Sequence, residues 1–156
     1  MDQNDFKALC RSASILLHRE DPEALGDTHV IDIDGVRIGL FFDEVLAPDR
    51  LLTYIDIGKL PMSGREEIMA RVLSLNLLTA TKTSGVYGFD SQSDTLIFVQ
   101  HLLFPELMTG EDLGRILQGY SDHANTLRES LLDPGNGEPV PNMLARSFGV
   151  RSHQNA

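Results

Sequence analysis

The chain has 156 residues, of which 42% are hydrophobic, and this is enough to bury the core of one domain without a metal or a disulfide. Its formal net charge of −10 argues against nucleic acid as a partner, because phosphate binding needs a basic surface. There is no signal-peptide pattern, no apolar run near the ~20 residues that span a bilayer, and only one cysteine, so we expect a cytoplasmic protein with no membrane partner.

Apolar residues at helical spacing predict a first helix over residues 5–19, with Pro22 and Gly26 just beyond its end. The apolar face of this helix comprises Phe6, Leu9, Cys10, Ala13, Leu16 and Leu17. Because Cys10 lies on that face, we expect its thiol to be buried and unreactive.

The period changes to two over residues 29–43, where two β-branched runs flank Asp34-Gly35, a strong signal for a two-residue hairpin turn. The second strand of this hairpin should bury one face, formed by Val36, Ile38, Leu40 and Phe42. The adjacent Phe41 then points to the opposite face. We expect a turn around Pro48-Asp49, followed by a third strand from about residue 51 to 57.

The clearest helix is predicted over residues 63–81, where Ser63 and Glu66 have the spacing of a capping box. Its apolar positions are Ile68, Met69, Val72, Leu73, Leu75, Leu77 and Leu78. This stripe is wider than one buried face requires, so a second copy of the chain is expected to cover part of it. The predicted dimer contacts are Met69, Leu73 and Leu77.

A second hairpin is predicted over residues 86–103, and a last helix over residues 109–132. Thr109 and Asp112 have the positions of an N-cap and its partner three residues later. Residues 133–156 are rich in Pro, Gly, Asn and Ser, and we expect them to form a flexible tail that folding does not need.

The predicted order of elements is therefore α-β-β-β-α-β-β-α, in one domain that covers residues 1–132. Short connections between neighbouring strands favour an antiparallel sheet packed by helices, so the fold class is α+β, in a homodimer.

No motif for catalysis or metal binding is found in the sequence. The five histidines, His18, His29, His101, His123 and His153, share no metal-ligand spacing. Five carboxylates near strand ends, Asp32, Asp34, Asp43, Glu44 and Asp56, are of the type used in acid–base chemistry, but aspartate is also common in turns for local hydrogen bonding. An acidic rim around a binding groove is the alternative reading of these residues. We expect no cofactor.

Several local features, in this order and spacing, resemble the class I type III secretion chaperones of the CesT-like (Tir chaperone) family. The third strand ends in Ile57-Gly58-Lys59-Leu60-Pro61, which is similar to the hydrophobic-Gly-x-hydrophobic-Pro element that closes this strand in the family. The helix that follows contains Val72-Leu73-Ser74-Leu75-Asn76, similar to the family's Leu-Leu-x-x-Asn stretch, and Gly85-Val86-Tyr87-Gly88-Phe89-Asp90 resembles the next turn and strand. The resemblance covers about residues 5–132.

This resemblance implies a homodimer that binds the N-terminal region of one or more secreted effector proteins, keeps it extended and delivers it for export. The ATPase of the secretion system is a further candidate partner. The alternatives are a small dimeric α+β enzyme with a cleft between its subunits and a regulatory adaptor of the same fold.

The candidate cargo contacts come from the apolar strand residues and from the first helix. They are Leu16, Leu17, Phe41, Leu52, Tyr54 and Phe98. The competing interpretation of the strand residues is burial under the first helix or under the second subunit.

Overall fold

The structure is a computed structural model that describes residues 1–79 and 85–132. The helices are α1 (Gln3–Leu16), α2 (Ala24–Thr28), α3 (Arg65–Thr79) and α4 (Gly110–Leu127), and the strands are β1 (Val30–Ile33), β2 (Val36–Asp43), β3 (Ala47–Lys59), β4 (Val86–Asp90) and β5 (Thr95–Leu103). A 3₁₀ turn spans Pro105–Leu107, and a π-helical turn, Arg128–Leu132, follows α4. The tail predicted for residues 133–156 lies outside the described residues.

The five strands form one antiparallel sheet in the order β1-β2-β3-β5-β4. Both predicted hairpins are confirmed. In the β1–β2 turn, Asp34 and Gly35 have φ values of 49° and 76°, the positive angles that a two-residue turn of this kind requires. The α+β class with an antiparallel sheet is confirmed as well.

The turn predicted around Pro48-Asp49 is wrong, because those residues belong to β3 and the turn lies at residues 44–46. The carboxylate of Asp43 makes this turn by accepting hydrogen bonds from the backbone N–H groups of Val45 and Leu46, each at 2.9 Å. The register between β2 and β3 shifts beside Asp43, so Pro48 needs no hydrogen bond to β2.

Helices α1 and α4 pack together on one face of the sheet and enclose the core. Each begins with a capping box, formed by Asp2 with Asp5 in α1 and by Thr109 with Asp112 in α4. The box in α4 was expected. The box in α1 was missed, and it explains why the helix begins at Gln3 rather than at residue 5.

Arg128, at the start of the π-helical turn after α4, links the helical layer to the sheet and was not predicted from the sequence. Its guanidinium donates to the backbone carbonyls of Gly35, Asp56 and Ile57 at 2.9, 3.0 and 2.6 Å. These carbonyls belong to the β1–β2 turn and to the β-bulge of β3, next to Gly58, which has a φ of 136°. One side chain therefore satisfies acceptors that the bulge and the turn leave unpaired.

Candidate functional site

The face of the sheet opposite α1 and α4 carries no helix in the described part of the chain. Alternation along the strands separates two neighbouring aromatic residues: Phe42 is 7% exposed and faces the core, whereas Phe41 is 42% exposed and faces outward. The register then places Leu52 opposite Phe41, and His101 opposite Leu52. Tyr54, 40% exposed, lies two residues further along β3 on the same outward face. We call this surface the outer face.

The apolar residues of the outer face line a shallow groove of about 580 Å³. Its lining comprises Phe41, Asp43, Ala47, Arg50, Leu52, Tyr54 and His101, together with Phe42, whose side chain is buried on the core side of the sheet. Its polar margin includes Arg50, which binds Asp49 with two hydrogen bonds of 2.9 Å. Those bonds from Arg50 lower the pKa of the Asp49 carboxyl, so the pair stays ionised. We call this the outer groove.

Phe41 is held in place by its neighbours on three sides. Its ring lies so close to Gly39 that a Cβ atom there would be only 2.8 Å from the ring, so a larger residue at position 39 would displace Phe41. Its ring makes a T-shaped contact with the ring of Tyr54, with centroids 5.6 Å apart, and it stacks on His29 at 5.7 Å. His29 stacks in turn on the buried Phe6. The outer groove is thus anchored to the core by a chain of aromatic contacts, of which His29 was not predicted.

The six candidate cargo residues do not form one surface. Phe41, Leu52 and Tyr54 meet in the outer groove, but Phe98 is 5% exposed and packs against Tyr87 on the opposite face of the sheet. Leu16 and Leu17 lie beside Gly114 of α4, in the helical layer, where Leu16 is half exposed and Leu17 is partly buried.

The two edges of the sheet differ in a way that matters for binding an extended segment. At the β4 edge, the side-chain amide of Asn76 in α3 accepts from the backbone N–H of Tyr87 at 2.7 Å and donates to its carbonyl at 3.0 Å. Asn76 thereby occupies the positions that a neighbouring strand would use. This gives a structural reason for the asparagine in the Val72–Asn76 stretch.

At the β1 edge, the hydroxyl of Thr28 accepts from the backbone N–H of Val30 at 3.4 Å and lies 3.3 Å from its carbonyl oxygen, whereas among the described residues no side chain caps the backbone of Asp32. The amide of Leu40 donates to the carbonyl of His29, and this register directs the backbone groups of Val30 and Asp32 away from β2. A cavity of about 490 Å³ lies along this edge, between the end of α1, α2 and β1. The buried hydroxyl of Ser14, which lines it, has no hydrogen-bond partner in the part of the chain that the structure describes. We call this the edge cavity.

Helix α3 shows the two-sided apolar character that its sequence predicts. Ile68, Val72 and Leu75 are buried against the body of the protein. Leu73 and Leu77, four residues apart on the other side, are 67% and 76% exposed, and Met69 is partly buried between the two faces.

The residues considered for catalysis or metal binding are either far from one another or make contacts that stabilise the fold. Among the described residues there is no group of three or more His, Cys, Asp or Glu side chains that could hold a metal ion. Asp32 pairs with Arg37, and Asp34 accepts from Gln118. Cys10 is buried, and burial raises the pKa of its thiol to about 12.

Comparison with known proteins gives a family and a fold. The model of the Tir chaperone protein (CesT) family matches residues 45–128, more than half of the chain. The structure is similar to that of the ExsC-ExsE complex, with a TM-score of 0.66 and 20% sequence identity, covering 85% of this chain and 98% of that one. It is also similar to that of the HopA1-SchA chaperone-effector complex, with a TM-score of 0.54 and 21% identity, covering 83% and 99%.

At these identities the two structural likenesses establish the fold. A comparison with curated protein sequences gives no match. In the described part of the chain, no helix is both long enough and apolar enough to cross a membrane.

Proposed function

Because the chain belongs to the Tir chaperone (CesT) family, we propose that it is a type III secretion chaperone that binds the N-terminal region of an effector protein in an extended form and keeps it competent for export. Two similar structures, the ExsC-ExsE complex and the HopA1-SchA chaperone-effector complex, each contain a bound partner protein, which supports a protein as the ligand here. The proposed activity is binding and not catalysis, in the cytoplasm.

The main support for this proposal comes from the outer face, where exposed apolar side chains form a groove instead of packing under a helix. An unfolded segment exposes both apolar side chains and unpaired backbone groups. The outer groove offers Phe41, Leu52 and Tyr54 to the apolar side chains. Phe98 is left out of the proposed contacts because it faces the core, and Leu16 and Leu17 remain contacts that a longer cargo segment could reach.

We propose that the backbone groups of the cargo pair with the β1 edge. Of the two sheet edges, the β4 edge is capped by Asn76. At β1 the backbone groups of Asp32 point outward, while those of Val30 are contacted by the Thr28 hydroxyl. The edge cavity beside β1 provides room for side chains of an added strand. A strand added there would extend the sheet at the edge that lies nearer to Phe41.

We further propose a homodimer in which Leu73 and Leu77 of α3, with Met69 beside them, are buried against the second copy. Their exposure in the single chain supports this, because two leucines on one exposed stripe of a helix are an apolar surface that a partner helix can cover. The export ATPase is proposed as a later partner that receives the chaperone with its cargo.

The proposal is tested by retaining proteins from the host on the immobilised chaperone and identifying them. We expect a secreted protein, bound through its N-terminal region, and a loss of binding on Tyr54→Ser. Removal of one well-buried anchor typically costs about 2 kcal/mol, roughly a thirtyfold loss of affinity. Met62→Ser is the matched control, because Met62 is also exposed but lies near the opposite end of β3 from the outer groove.

Two results would contradict the proposal. One is that no secreted protein is retained. The other is that Tyr54→Ser and Leu52→Ser both keep the affinity of the unaltered protein while the fold stays intact, which would place the cargo site elsewhere.

A further inference from the structure

A second exposed apolar surface lies at one end of the sheet, at the tips of two loops. It comprises Val45 and Leu46 in the β2–β3 turn, and Phe104 and Leu107 after β5. Three of these side chains are at least 80% exposed, and Phe104 is 57% exposed. The backbone N–H of Phe104 donates to the carbonyl of Asp49 at 2.8 Å, which fixes the second loop beside the start of β3. We call these four residues the tip patch.

The loops that carry the tip patch are held by specific contacts. The β2–β3 turn is closed by Asp43, as described above, and Glu44 accepts from the backbone N–H of Gln3 at 3.1 Å, which ties the turn to the start of α1. Phe104 has a φ of 54°, a conformation that is rare for a bulky side chain. Strained backbone of this kind is concentrated at functional sites.

The charges around the tip patch define what can bind it. Residues 43–50 and 103–107 contain four acids, Asp43, Glu44, Asp49 and Glu106, and one basic side chain, Arg50. Arg50 is already paired with Asp49. The apolar tips are therefore surrounded by an excess of negative charge that no side chain of these two segments neutralises.

This charge pattern distinguishes among the molecules that could bind the tip patch. A second copy of the chain would bring the same acids face to face, and like charges at an interface are costly. An anionic lipid surface would be repelled for the same reason. A protein segment that combines apolar side chains with lysine or arginine satisfies both features of the patch.

We propose that the tip patch is a docking surface for a basic, apolar segment of a partner protein. It adjoins the outer groove, whose lining includes Asp43 and Ala47 on either side of the β2–β3 turn, but its four apolar side chains are not among the lining residues of the groove, and it is distinct from the exposed stripe of α3. The proposal does not rest on the chaperone function, because it follows from the exposure and the charge of these two loops.

The test uses two synthetic amphipathic helical peptides with the same apolar face, one flanked by lysines and one by glutamates. We expect the lysine peptide to bind the unaltered protein at least tenfold more tightly at low salt, and to lose this advantage as salt rises. The double variant V45S/L46S should lower its affinity at least tenfold. Tyr54→Ser, which alters the outer groove, should leave its affinity unchanged.

Several results would overturn the inference. Equal binding of the two peptides would show that charge does not select the partner. A loss of binding on Tyr54→Ser, but not on V45S/L46S, would place the peptide in the outer groove. A lower oligomeric mass for V45S/L46S would identify a second copy as the occupant, and retention of the unaltered protein, but not of V45S/L46S, on anionic lipid vesicles would identify a membrane.

Discussion

At the scale of single residues, the apolar core follows the alternation of strands and the spacing of helices, while Asn76 and Arg128 bind backbone groups of distant strands. Strand alternation separated Phe42 from Phe41, and helical spacing identified Phe6, Leu9 and Cys10 as buried. The roles of Asn76 and Arg128 were missed, since each depends on carbonyl or amide groups more than ten residues away in the chain. No local pattern encodes such a partner.

Phe98 shows a second limit of predicting burial from the sequence pattern. Strand periodicity defines which residues share a face, but it does not say which face the helices cover. Pairing with Ile55 puts Phe98 on the core face. This pairing depends on the register between β3 and β5, two strands that α3 and β4 separate in the chain.

We predict that Cys10 does not react in the folded protein. Burial removes access to its thiol, and a pKa of about 12 leaves it protonated at neutral pH, whereas alkylation requires the thiolate. Iodoacetamide at pH 8 should modify the chain only in denaturant, as read by mass spectrometry. Rapid modification under native conditions would show that α1 opens away from α4.

We predict that Arg128→Ala lowers the free energy of unfolding by about 2 kcal/mol, because three backbone carbonyls lose a charged donor. Thermal denaturation should show a melting temperature lower by roughly 4 °C or more. The comparison variant is Arg115→Ala, whose side chain forms an exposed ion pair with Glu111 within α4 and should change stability little. Equal effects of the two substitutions would contradict a bridging role for Arg128.

At the scale of elements, the helices and strands with strong periodicity were predicted correctly, whereas the turns and the short helix between them were predicted less well. Asp34-Gly35 specified its turn because both positions need positive φ. The β2–β3 turn was displaced because Pro48 and Asp49 look like turn residues, yet Asp43 makes the turn by accepting from the backbone of Val45 and Leu46. The five-residue helix α2 was not predicted, since a helix this short has no periodicity to detect.

We predict that the exposed stripe of α3 mediates dimerisation. Leu73→Asp and Leu77→Asp should each weaken the dimer at least about a hundredfold, because a charge would be buried at the interface without a partner. Sedimentation at micromolar concentration should then show monomers. Ile15→Asp, a substitution at an exposed apolar site of α1, is the matched control and should leave the dimer intact. A monomeric unaltered protein would contradict the prediction.

We predict that Asp32→Pro impairs cargo binding without unfolding the protein. The backbone N–H of Asp32 points to the free edge of β1, so proline removes a donor that only an added strand would use. The control is Ile31→Pro, which removes an N–H directed at β2 and should destabilise the fold. Unchanged cargo affinity for Asp32→Pro would exclude the β1 edge as the pairing site.

At the scale of the whole molecule, the sequence predicted the α+β class, the family and the order of the main elements. Those follow from patterns that are local or carried by short motifs. The split of the cargo candidates between the outer groove, the helical layer and the core could not be predicted, because it arises from how α1 and α4 cover one face of the sheet only. The outward backbone groups of Asp32 at the β1 edge and the capped edge at β4 likewise emerge only once the strand order is known.

In the proposed mode of binding, an effector segment is extended and paired with β1, and its apolar side chains lie on the outer groove. Residue-resolved amide exchange of the chaperone with its bound cargo segment tests this most directly. We predict that exchange slows at Asp32 on binding and that the cargo is protected at every second residue, as in a strand paired along one side. Protection of consecutive cargo amides, as in a helix or a folded domain, or no change at Asp32, would contradict this mode of binding.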